Sequence, residues 1–307
     1  VTKQRVLKAV LPSAAVVGLT GVAGAVVVAA HAAGADSGAS TSQVGAAQAA
    51  ETENYWTPER MASATPVDRP AAPLGSKSAM AVRSGLPRAK AFGGYPSVGA
   101  LFFRNGRGNH YCTASAVDSS KRNLVITAAH CLWGRGGADQ NIAYVPGYNA
   151  GRRPYGVWPV KQVTVMRQWK TKRDDGRDFG FAAVYNQGGR RLGDVTGYNV
   201  LTVNRGYRNW VQVVGYPQVH YVKSDHPIRC SNRTKEKMKW QVEFDCSGYY
   251  GGTSGSPFVW HASKRGTGRV IGVLGGYQEG GVVDYISYAS YFDHEVWDLR
   301  AAANRSA

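Results

Sequence analysis

About a dozen short β-forming runs, closely spaced from residue 97 to residue 288, constrain this chain's fold more than any other feature. The first series reads "SVGALFF" (97–103), "CTASAV" (112–117), "NLVITAA" (123–129), "VKQVTVM" (160–166) and "FGFAAVY" (179–185). The second reads "NVLTV" (199–203), "WVQVVGY" (210–216), "QVHYV" (218–222), "KWQVEF" (239–244), "SPFVW" (256–260), "RVIGVL" (269–274) and "VVDYISY" (282–288). β-Branched and aromatic residues fill the runs, and Gly, Asn and Asp separate them, which is the pattern of an antiparallel sandwich or barrel. A helix is expected only at the end, over 290–302. There Ser290 followed by Asp293 suggests a capping box, and Phe292, Val296 and Leu299 fall on one face. The two series predict an all-β unit of two small barrels, about 91–195 and 196–289, followed by that helix.

The first 90 residues have a different texture. Lys3, Arg5 and Lys8 precede an uncharged run from Ala9 to Ala30, and two small-x-small sites follow, ending at Ala32 and Ala35. Basic start, apolar middle and small-residue cleavage site are the layout of a secretory signal, here 1–35. Residues 36–90 are rich in Ala, Ser, Pro and Gly, which predicts a weakly ordered pro-segment or linker. Within it, "NYWTPERM" (54–61) is similar to a stretch in pro-segments of secreted actinobacterial proteases.

All four cysteines, Cys112, Cys131, Cys230 and Cys246, lie in the strand-rich unit. Downstream of a secretion signal an even number favours disulfides. Of the three possible pairings, Cys112–Cys131 and Cys230–Cys246 each close a short loop and are expected. No CxxC spacing occurs, so no metal site is expected, and nothing calls for a cofactor.

"ITAAHC" (126–131) is the most specific motif: a histidine at a strand end, next to a cysteine that can anchor it, is well placed for proton transfer. Here the chain resembles the trypsin/chymotrypsin family of serine proteases, whose general base occupies this motif, over about Ser97 to Asp298. The resemblance implies a chymotrypsin-like fold of two six-stranded antiparallel β-barrels, with Cys112 as the partner of the cysteine after His130. It also implies an aspartate before a small apolar strand. "RDDGRDFGFAAV" (173–184) offers Asp174, Asp175 and Asp178, of which Asp178 directly precedes the strand and Asp175 is the rival. "GGTSGSP" (251–257) matches the family's nucleophile loop and makes Ser254 the nucleophile, with the N–H groups of Gly252 and Ser254 as the oxyanion hole.

Thr253 stands where trypsin-like zymogens carry an aspartate that pairs with a freshly cut N-terminus, and "AFGGYPSVG" (91–99) lacks the matching start. Activation without that ion pair is therefore expected. "VVGYP" (213–217) and "TSGSP" look like the bacterial glutamyl endopeptidase branch. Yet "RVIGVLGG" (269–276) lacks that branch's histidine, and Gly248 stands where trypsins place an acid. Gly248, Tyr249, Tyr250, Leu274, Gly275 and Gly276 would line the specificity pocket, which suggests an uncharged substrate side chain.

The net charge of +17 is compatible with loose binding to anionic polymers. No nucleic-acid motif accompanies it, and the basic clusters at 170–177 and 233–239 include acids. The expected protein is a secreted, monomeric serine endopeptidase made as a precursor, acting on proteins or peptides, with no stable membrane association once the signal is removed. Two rivals stay open: a triad hydrolase restricted to esters or to one processing target, and an inactive binding protein on the same scaffold.

Overall fold

Strand pairing closes the first series of runs into a barrel. The computed structural model describes residues 38–67, 85–218 and 226–307. The expected signal (1–35) and most of the expected strand 218–222 lie outside them. The elements begin with β1 (Ala39–Gln43), α1 (Ala46–Tyr55), α2 (Pro58–Ser63), β2 (Thr65–Pro66) and β3 (Lys90–Ala91). They continue with β4 (Val98–Asn105), β5 (Gly108–Val117), β6 (Leu124–Thr127), the two-residue strands β7 (Trp133–Gly134) and β8 (Gly137–Ala138), and β9 (Gln140–Pro146). Next come β10 (Trp158–Met166), α3 (Arg167–Lys172), β11 (Gly180–Val184), α4 (Leu192–Thr196), β12 (Val200–Leu201), β13 (Trp210–Gly215) and β14 (Ile228–Arg233). The chain ends with β15 (Lys235–Met238), β16 (Gln241–Asp245), β17 (Pro257–Trp260), β18 (Arg269–Val273), β19 (Ile286–Ser290) and α5 (His294–Ser306).

The order β10-β11-β6-β5-β4-β9 returns to β10 through Trp158↔Tyr144 and Pro159↔Ala143, closing an antiparallel six-stranded barrel. Leu101, Phe103, Ile126, Val163, Phe181 and Trp158 fill it, all at or below 1% exposure, so its interior is a packed core and not a channel. The second half is assembled from a six-stranded sheet, β12-β18-β17-β13-β14-β3, and a three-stranded sheet, β15-β16-β19. The bridge Leu274↔Ala289 and the disulfide Cys230–Cys246 tie the two sheets together around Val211, Val213, Phe244 and Phe258. With the terminal helix, this is the chymotrypsin-like two-barrel fold.

Several expectations need correction. The second half is two hydrogen-bonded sheets and not one, and β12 runs parallel to β18. Residues just before the expected domain start at 91 belong to the second half, because β3 pairs with β14. The region 36–90 is not weakly ordered throughout: residues 38–67 form two helices and two strands, with Trp56 and Met61 at 1% and 2% exposure. An Ala- and Ser-rich composition hid two large apolar anchors. The terminal helix starts at His294, capped by Asp293, whose side chain accepts from Glu295 N. Ser290 instead ends β19 and donates to the Asp175 carbonyl, so no capping box forms.

The helix face reads as expected, with Phe292, Val296 and Leu299 buried against the first barrel at 2%, 0% and 0% exposure. Truncating Leu299 to Ala is expected to lower the unfolding free energy by about 2–5 kcal/mol in urea titration. Trp297, 47% exposed, is the control, and its alanine variant is expected to lose no more than about 0.5 kcal/mol. Equal losses at the two positions would contradict this helix orientation.

Candidate active site

The strand β6 ends at Thr127 and the chain turns through one 3-10 turn, Ala129–Cys131, that carries His130. The disulfide from Cys131 to Cys112 on β5 fixes this turn to the barrel. Asp178 closes a second 3-10 turn, Asp175–Arg177, immediately before Phe179 and β11. Because β11 pairs with β6, the two turns emerge side by side. His130 Nδ1 lies 2.7 Å from Asp178 Oδ2, and His130 N donates to Asp178 Oδ1 at 3.0 Å. Gly276 N donates to Oδ2 as well, at 2.9 Å. Three donors hold a carboxylate that is wholly buried, while Asp174 and Asp175 serve elsewhere. With Nδ1 turned to a carboxylate, Nε2 is the ring nitrogen on the side away from Asp178.

Asp175 holds a neighbouring loop. Burial, and then the nearby Asp178 charge, raise its carboxyl above its usual range, while the Gln278 N–H it accepts pulls it down. That loop, the short turn Tyr277–Gly280, crosses the site: Gln278 and Glu279 are both left-handed, and Ser254 Oγ donates to the Glu279 carbonyl at 3.5 Å.

The loop carrying Ser254 is hydrogen-bonded to Thr113 of β5. Thr113 N donates to the Ser254 carbonyl at 2.8 Å, and its hydroxyl donates to the Gly252 carbonyl at 3.0 Å. The same hydroxyl accepts from Tyr216 N at 3.0 Å, and the Thr113 carbonyl accepts from Thr127 Oγ1 at 2.7 Å. Thr113 follows Cys112, so Ser254 and His130 are anchored to adjacent residues of one strand. Two glycines let the loop approach this closely. Gly255 has φ +83°, and a Cβ there would fall 2.0 Å from the Thr113 carbonyl oxygen. Gly252 has φ +91°, and its Cβ would fall 2.4 Å from the Tyr111 ring. Thr253 is buried and internally bonded, its hydroxyl donating to the Tyr250 carbonyl at 2.8 Å.

The expected pocket residues divide. Gly275 packs directly on Asp178, and Gly276 binds it. Leu274 donates to the Ser256 carbonyl and is 4% exposed. Tyr249 does not line a pocket: its ring packs against Phe244 in the core and its hydroxyl donates to the Val213 carbonyl at 2.8 Å. Burial pushes its phenol well above its usual range. The backbone turn at Gly248, φ +112°, aims the next side chain inward. Gly248 N donates to the carbonyl of Asp284 at 2.9 Å and lies 3.2 Å from its Oδ2. Asp284 is 3% exposed and brings a carboxylate to this wall. No sequence pattern marked it, because it lies 36 residues beyond Gly248.

A second acid near His130 was also missed. Asp139 follows β8, donates its N–H to the Leu132 carbonyl, and has an Oδ2 with no hydrogen-bond partner among the described residues. Burial pushes its carboxyl up to about 7, against the opposing pull of His130 and then Arg173.

The fold is that of the chymotrypsin-like serine proteases. Among solved structures, the protease Anisep from Arthrobacter nicotinovorans is 25% identical, with a TM-score of 0.65 over 71% of this chain and 99% of that one. The thermostable serine protease AL20 from an extremophilic microorganism is 23% identical, with a TM-score of 0.63 over 69% and 99%. A Glu endopeptidase crystallised with MPD shares the fold at 15% identity and a TM-score of 0.58, over 72% and 98%. No protein-family model matches the chain, and no curated protein matches it. Proteases as structural neighbours support protease function.

Replacing Thr113 by Val keeps the shape but removes one hydroxyl that donates to Gly252 O and accepts from Tyr216 N in a buried seam. A loss of about 2–4 kcal/mol in unfolding free energy is expected, together with lower reactivity of Ser254 toward an active-site probe. Asp139 gives a pH-dependent test. A raised carboxyl means the folded chain binds the proton more tightly, so this stability is present below the ordinary value of 3.8 and is lost as pH rises through about 7. Asp139→Asn is therefore expected to be about 2–4 kcal/mol more stable than the parent at pH 8, and equal to it near pH 4. Urea titrations at the two pH values measure the difference.

Proposed function

We propose that this chain is a secreted serine endopeptidase, made as a precursor, that hydrolyses peptide bonds through His130, Asp178 and Ser254. The observation that carries the proposal is the His130–Asp178 pair, 2.7 Å apart and buried, anchored to the same strand as the glycine-flanked loop of Ser254. Ser254 Oγ attacks the substrate carbonyl carbon while its proton passes to His130 Nε2. Asp178 orients the ring and stabilises the imidazolium that forms. The oxygen that gains charge is met by the N–H groups of Gly252 and Ser254. The C–N bond then breaks, the amine leaves with the proton from His130, and an acyl group remains on Ser254. Water, deprotonated by the same ring, attacks that ester and releases the acid, restoring the serine.

Two disulfides support an extracellular destination, and the basic-then-apolar start of the chain supports export. Buried and uncharged, Thr253 makes no ion pair to a new N-terminus, which supports activation by another route.

The test is labelling of the exported protein with a fluorophosphonate, followed by peptide mass mapping. A stoichiometric adduct on Ser254 is expected, abolished by Ser254→Ala and reduced about 10⁴-fold in rate by Asp178→Asn. No adduct on folded protein would favour the inactive binding scaffold. Hydrolysis of a peptide library varied at the residue before the cut reads the pocket, with a preference for an uncharged side chain expected.

A further inference from the structure

The first barrel leaves a free edge that its own closure cannot use. β9 pairs with β10 only at Trp158 and Pro159, after which the two strands diverge. Residues 162–166 would then present unpaired N–H and C=O groups on that side, since β11 covers only the other. β1 fills this edge over five antiparallel pairs, from Ala39↔Met166 to Gln43↔Gln162. Side chains lock the register. Gln43 Nε2 donates to the buried Gln162 Oε1 at 2.9 Å, and the Tyr185 hydroxyl donates to the Val44 carbonyl at 2.7 Å.

Twelve residues after Val44, the same segment inserts Trp56 into an aromatic socket. The indole is 1% exposed, its centroid lies 5.3 Å from that of Phe102, and Ala143, Val145, Tyr148 and Val157 complete the cluster. Its Nε1–H donates to the Asn141 carbonyl at 2.6 Å, so the polar tip is satisfied as well. Tyr55 donates to Asn109 Oδ1 at 2.8 Å, and β2 lies parallel to β5 at His110 and Tyr111. Tyr111 is the residue whose ring packs on Gly252.

We propose that residues 38–67 are a permanent part of the first barrel, docked on the β10 edge and the Phe102–Tyr148 socket strongly enough to remain bound as a separate chain. The reason is that strand, indole and hydroxyl contacts are all made within this barrel and none depends on a covalent link through 68–84. A cut anywhere beyond Val67 then produces a two-chain molecule and not a shortened one. The segment braces Tyr111, and through it Gly252, from outside. The inference concerns association alone and holds whether or not Ser254 is a nucleophile.

The experiment uses the full chain carrying Ser254→Ala, with a site for a sequence-specific viral protease inserted between Gly75 and Ser76. After complete cleavage, both pieces are expected to elute together in size-exclusion chromatography and to part only in denaturant. The amides of residues 39–43 are expected to keep their hydrogen-exchange protection after the cut. Elution of the small piece alone, or immediate exchange at 39–43, from a barrel that stays folded would overturn the proposal. Trp56→Ala in the same cut protein is expected to weaken retention about 100-fold or more. Retention unchanged by that substitution would also overturn it. The exchange measurement needs no substitution in the segment, so it decides the question even where Trp56→Ala does not fold.

Discussion

The seam between the two barrels runs through Thr113, and the candidate site depends on it. One residue of β5 presents its N–H, its hydroxyl and its carbonyl to four partners from three parts of the chain. Two of its hydrogen bonds reach the Ser254 loop, and a third fixes Tyr216 at the end of the strand that faces that loop. Each of these groups is buried, so none has water as an alternative partner, and an unmade bond leaves an uncompensated polar atom. That asymmetry turns a set of individually modest bonds into a geometric constraint. The disulfide next door extends the constraint to the turn of His130, so His130 and Ser254 are tied to one strand although they lie 124 positions apart in the chain.

What the sequence disclosed about the site was what lies in short motifs. His130, Asp178 and Ser254 each stand in a local pattern whose chemistry can be read from the neighbours. Their supports do not. Thr113 and Thr127 are ordinary strand residues in sequence, and only the pairing of β5 with β6 and the approach of the 252–255 loop give them work. Asp139 and Asp284 look like loop acids until burial is known. Tyr249 was assigned to the pocket through the resemblance, which does not report that its hydroxyl is bonded to the Val213 carbonyl.

The fold was legible where strands alternate and illegible where length or composition misleads. β6 and β10 are rich in β-branched residues, and β4 and β11 carry apolar runs. β9, with four apolar residues between polar flanks and a proline, escaped notice although it closes the barrel. The segment 38–67 was read as loosely ordered because small residues dominate it. Stability there comes from a few large side chains and from hydrogen bonds to a distant strand, neither of which composition reports. At the terminal helix, two capping residues competed. Asp293 prevailed because Ser290 is already committed to β19 and to the Asp175 carbonyl.

The turn Tyr277–Gly280 has one more consequence. Its Glu279 carbonyl is the hydrogen-bond acceptor of Ser254 in the unliganded protein. Any molecule that needs this hydroxyl must first replace that acceptor, so its apparent affinity equals the intrinsic one multiplied by the fraction of molecules in which the hydroxyl is released. At 3.5 Å the contact is long and correspondingly weak. The closed and released forms therefore differ by no more than about 1 kcal/mol from this bond alone. From this bond alone, self-occupancy would lower the affinity of such a molecule only a few-fold.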